Sequence, residues 1–64
     1  MKESFLYLFN GGNFKKVKVE VLPDDYLRIL PDGEPTPFED FGDCMLSEKD
    51  MTTNKAFEMF FAAV

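Results

Sequence analysis

Six carboxylates and no base lie within residues 31–48: Asp32, Glu34, Glu39, Asp40, Asp43 and Glu48. Acids at that density could do three kinds of chemistry: general acid–base work, cation binding, or electrostatic attraction of a basic surface. Acid–base work needs a cleft and two acids whose environments drive their pKa values apart, and nothing in this spacing supplies them. A Ca²⁺ site needs about six to eight oxygens from a loop of fixed spacing. Neither Asp32-Gly33-Glu34 nor the run from Glu39 to Asp43 has the D-x-[DN]-x-[DN]-G pattern. Attraction of a basic surface needs only that the charge be held in place. In an extended chain Asp32 and Glu34 would project to one side about 7 Å apart, at ~3.4 Å rise per residue. That is the order of the step between phosphates along a nucleic-acid strand.

The other reactive groups are few. Cys44 is the single cysteine and the chain has no histidine, which leaves no internal disulfide, no Cys–His nucleophile pair and no four-ligand zinc site. Acids beside Cys44 raise a thiol pKa, so it reads as an apolar filler with Met45 and Leu46. Serines and threonines have no base to activate them. The expectation is a non-enzymatic protein with no catalytic residues, no metal and no cofactor. No motif identifies a family.

Outside the acidic segment the charge is nearly balanced: +2 over residues 1–22, −1 over 23–30 and zero over 49–64, against a net charge of −5. Such a chain is repelled by phosphate backbones and anionic lipid heads, so neither direct nucleic-acid binding nor membrane association is expected. A protein partner with a basic surface is. The lone thiol suits a reducing compartment, hence a cytoplasmic location. No apolar run approaches the ~20 residues of a membrane span. The first residues carry too few apolar positions in a row for a signal-peptide core.

The elements that must position these groups are read from periodicity. Residues 4–9, SFLYLF, form a strand, and Asn10-Gly11-Gly12-Asn13 supplies residues that accept positive φ, so a hairpin follows. Val17, Val19 and Val21 alternate with Lys16, Lys18 and Glu20, predicting a strand over 15–22 with one wet face. Pro23-Asp24-Asp25 is a turn and residues 26–30 a third strand. Residues 31–43 hold Pro31, Pro35, Pro37, Gly33 and Gly42, which deny a ladder its donors and its order, so a long loop is predicted. Phe38 and Phe41 are its tethers to the body. Phe57, Phe60, Phe61 and Val64 fall on one helix face, widened by Met59, Ala62 and Ala63. That helix spans 47–62 if capped at Ser47, or 54–63 if capped at Thr53.

The fold expected is a single α+β domain over residues 1–64: a three-stranded antiparallel meander, one C-terminal helix and a long acidic loop. Strand 1 is apolar on both faces, Phe5, Tyr7 and Phe9 one way and Leu6 and Leu8 the other. One helix covers one face, so the loop folds over the second or another chain does. The functional expectation is an inhibitor that blocks a basic, nucleic-acid-handling surface of a partner, in the manner of a DNA mimic and with the economy of a phage gene. Asp32, Glu34, Glu39, Asp40 and Asp43 supply charge, and Phe38 and Phe41 supply aromatic anchors. The alternative is a structural subunit of a homodimer or larger assembly joined through the first strand. A weaker one is a cation-binding module.

Overall fold

The computed structural model describes residues 2–62, the side chain of Lys2 excepted. Ala63 and Val64, the end of the expected helical stripe, lie outside the described residues. The chain folds as α+β, with one helix on an antiparallel sheet.

Three strands lie where the alternation places them: β1 (Lys2–Leu8), β2 (Lys15–Leu22) and β3 (Tyr26–Ile29). The sheet has five strands rather than three. A two-residue strand β4 (Thr36–Pro37) pairs with β3, and β5 (Cys44–Ser47) pairs with β1. The sheet order is β4-β3-β2-β1-β5, antiparallel throughout. The segment read as one long loop is therefore a short edge strand, a 3-10 turn over Phe38–Phe41 and a return to the opposite edge. β4 fits the rule for proline in sheets, since Pro37 sits on an edge strand, where no ladder donor is demanded of it.

Both faces of β1 are covered. Leu6, Val19 and Leu27 form one buried cluster, with Leu8, Val17, Val21, Ile29, Phe41 and Cys44 packed around it. Tyr7, Phe9 and Ala56 form the other, with Phe5, Met45, Met51, Phe57 and Phe60. The helix α1 (Thr53–Ala62) covers the second face. The first is closed by Phe41 and by curling of the sheet itself. Leu46 of β5 and Leu27 of β3 line one groove. In a flat sheet strands three places apart would sit about 14 Å from each other, at ~4.8 Å per strand, so the sheet must roll for them to meet.

The helix begins at Thr53, not Ser47. The Ser47 hydroxyl instead accepts from the Lys49 amide at 3.1 Å and closes a turn after β5. Thr52 is the cap: its hydroxyl accepts from the Lys55 amide at 3.2 Å and its carbonyl from the Ala56 amide at 3.0 Å. Around the helix, Phe57 stands between Phe14 and Phe61, each centroid 4.3 Å away. Phe9 meets Phe57 edge-on at 5.3 Å.

Candidate functional site

The expected acids are placed by four restraints. After β3 the Gly33 amide donates to the Ile29 carbonyl at 2.7 Å, turning the chain at Asp32. Pairing of Tyr26 with Pro37 and of Leu27 with Thr36 pins the chain again beyond Glu34. Phe41 packs onto the Leu6–Val19–Leu27 cluster and anchors the 3-10 turn that carries Glu39 and Asp40. The Asn10 side chain holds the far end. Its Nδ2 donates to the Phe41 carbonyl at 2.9 Å and its Oδ1 accepts from the Asp43 amide at 2.9 Å. Gly42 at φ 75° lies against that side chain, and a Cβ there would meet the Asn10 amide group.

Asp32, Glu34, Glu39, Asp40 and Asp43 are all exposed. The ion pairs among the described residues are Lys16–Asp50, Lys18–Glu3 and Arg28–Glu20, and none of the five acids belongs to them. The extended chain assumed for Asp32 and Glu34 is not what carries these acids, however. Asp32 sits in a turn, and Glu39 and Asp40 follow each other around a 3-10 turn, whose neighbours point well apart.

What forms instead is a cleft. Asp24, Asp25, Tyr26, Pro37, Phe38 and Glu39 line an open surface depression of about 480 Å³. A second, apolar groove of about 220 Å³ adjoins it and shares Asp25, Tyr26 and Phe38, with Leu22, Leu27 and Leu46 beneath. Tyr26 and Phe38 remain 39% and 37% exposed. Asp32, Glu34 and Asp40 do not line the cleft, and Asp43 is held at the Asn10 turn. The two phenylalanines thus part company: Phe41 packs against the core and Phe38 forms a wall of the site.

Asp24, Asp25 and Tyr26 are the residues sequence reasoning missed. They read as a turn and the start of a strand, and so they are. Both aspartates adopt φ 63°, in a hairpin turn where the Tyr26 amide donates to the Pro23 carbonyl. The available signal was two consecutive acids at a hairpin tip beside an aromatic. What joins them to Phe38 and Glu39 is the pairing of Tyr26 with Pro37.

Elsewhere the reactive groups are quiet. Burial, with Asp43 beside it, pushes the half-buried Cys44 thiol above its ordinary value and keeps it protonated. Among the described residues no three Asp, Glu or Cys side chains are grouped to hold a metal ion, and no helix is long and apolar enough to cross a membrane. β1 lies between β2 and β5, with Leu6 and Tyr7 fully buried, so this strand has neither a free edge nor a free face for joining a second chain. Comparison with known proteins adds no relative: no family model, no curated protein and no solved structure matches the chain.

Proposed function

We propose that this protein is a non-enzymatic binder that captures a basic protein through its acidic, aromatic face. In its sharpest form it is an inhibitor that occupies a surface its partner uses for nucleic acid. One observation carries this reading. Five acids between β3 and β5 are exposed, free of ion pairs among the described residues, and fixed to the body by Phe41, Asn10 and the β3–β4 pairing. Fixed charge attracts an opposite surface at long range without the entropic cost of ordering a loose loop on contact.

The test is capture from cell extract on immobilised protein at low salt. The comparison variant combines Asp32→Asn, Glu34→Gln, Glu39→Gln, Asp40→Asn and Asp43→Asn. Basic proteins are expected to bind the wild type and to elute as salt shortens the Debye length from about 10 Å at 0.1 M toward about 3 Å at 1 M. Duplex DNA is expected to release them, and the variant to miss them. Equal retention of the same proteins by the variant would sink the reading.

A second reading has its own observation. Phe61 on α1 is 57% exposed, and Phe14, which with Phe61 flanks the ring of Phe57, is 37% exposed. An apolar face of that kind suits assembly. Sedimentation separates the two readings, because association through this face persists at high salt and is abolished by Phe61→Glu.

A further inference from the structure

The cleft and the adjoining groove make one continuous feature with two chemistries. Tyr26 and Phe38 stand between them. On one side lie Asp24, Asp25 and Glu39; on the other, Leu22, Leu27 and Leu46. Leu46, Tyr26 and Phe38, three of the most exposed large apolar side chains, converge here. Among the described residues no lysine or arginine lines either side. We propose that this feature binds a peptide segment of the basic partner that carries an arginine next to an aliphatic residue, the guanidinium at the acidic rim beside Tyr26 and Phe38, the aliphatic side chain in the groove.

The assignment rests on complementarity. Asp24, Asp25 and Glu39 belong to no ion pair among the described residues and attract a cation to this rim, as do aromatic faces through their quadrupole. A guanidinium is planar, stacks on a ring and forks onto carboxylates, which an ammonium cannot do. A groove of about 220 Å³ lined by leucines takes an aliphatic side chain and expels water from the neighbouring charge contact. Phosphate-bearing ligands are repelled by the same acids. A second copy is a poor occupant. The chain's one arginine, Arg28, lies within β3 and pairs with Glu20. The proposal rests on the reading of the protein as a basic-surface binder and names the side chains it would recognise.

The probe is a short acetylated and amidated Gly-Ser peptide with one central Leu-Arg pair, titrated into labelled protein and followed by amide shifts. Shifts are expected at Leu22, Tyr26, Phe38 and Leu46. Citrulline in place of arginine keeps the shape and removes the charge; alanine in place of leucine empties the groove. Each is expected to weaken binding about tenfold, the scale of one charge-assisted contact or one buried anchor. The Asp24→Asn/Asp25→Asn protein keeps residues that tolerate positive φ, so it folds, and it is expected to lose about tenfold as well. Phe38→Ala, at an exposed position, gives an independent arm with the same expectation.

Equal binding of the citrulline peptide overturns the proposal, as do shifts confined to other surfaces. So do concentration-dependent shifts at Tyr26 and Phe38 without peptide, which would place a second copy in the groove. The parent reading fails separately. It falls if the variant neutralised at residues 32, 34, 39, 40 and 43 keeps its partners. It survives a peptide that misses the groove if that variant still loses them.

Discussion

The hydroxyl of Tyr7 accepts a hydrogen bond from the Met51 amide at 2.8 Å, across 44 residues of chain, and donates to the Lys49 carbonyl at 2.6 Å. Tyr7 is fully buried in β1. One side chain therefore fixes the segment between β5 and α1 and sets where the helix starts. Lys16 works on the same segment from β2, donating to Asp50 and, at 3.2 Å, to the Met51 carbonyl.

Tyr7→Phe keeps the ring and removes both bonds. The Met51 amide and the Lys49 carbonyl lose a partner that water reaches poorly. Leaving part-buried groups unpaired costs about 1–3 kcal/mol. Urea denaturation is expected to show a lower midpoint at unchanged slope. Hydrogen exchange should speed up first at Ala56, which α1 presents to Tyr7 and Phe9. An unchanged midpoint would show that this clamp contributes nothing to the fold.

Asn10 and Gly42 form one unit, and their substitutions should fail to add. Asn10→Ala removes the bonds to the Phe41 carbonyl and the Asp43 amide, at an exposed site, for about 0.5–1.5 kcal/mol. Gly42→Ala places a Cβ against the Asn10 side chain at φ 75°, for about 1–3 kcal/mol. With Asn10 already alanine the steric part of the second cost disappears, so the double variant is expected to be about 0.5–1 kcal/mol better than the sum. A double-mutant cycle by denaturation measures it.

These two clamps mark the limit of what the sequence discloses. β1, β2 and their hairpin are legible because three valines alternate with polar residues and Asn10-Gly11-Gly12-Asn13 admits the turn. β4 is not, since a two-residue strand that follows Pro35 and ends on Pro37 carries no period. β5 is not, since Cys44-Met45-Leu46 is an apolar run without alternation, and its partner is β1, some 40 residues earlier. Ser47 and Thr53 both read as helix caps, yet Thr52 is the cap and Thr53 the first helical residue; the Tyr7 hydroxyl that holds the preceding segment is a tertiary contact that no local window contains. The site divides in the same way. Glu39 and Phe38 stand out by composition, whereas Asp24, Asp25 and Tyr26 join them only through a two-residue pairing.

Asp25→Gly should stabilise the protein. Asp25 holds φ 63°, where an L side chain is strained and glycine is not, and glycine is preferred in this turn position. The expected gain is about 0.5–1 kcal/mol, read from the urea midpoint. The same change removes a carboxylate from the cleft, so affinity for a basic partner should fall while stability rises. Aspartate at a site that favours glycine then has a functional reason. A variant neither more stable nor weaker in binding would remove that reason.

Stability should decline on the alkaline side in two steps. Burial, then Asp43, raise the Cys44 thiol, and the hydrogen bond to Asp50 raises the Lys16 ammonium. Both groups hold their proton more tightly folded than unfolded. Their contribution is complete below the unfolded pKa and is lost as pH climbs through the folded one. The ordinary values are 9.0 for the thiol and 10.5 for the ammonium, so the Cys44 step begins first. The Lys16–Asp50 pair is open to solvent and its step is the smaller of the pair. Urea midpoints taken from about pH 7 to about pH 11 test the order. Cys44→Ala should flatten the earlier part of the decline and Lys16→Met the later part, whatever either does to the midpoint at neutral pH. A wild-type midpoint that stays level across that range would mean that neither proton is held by the fold.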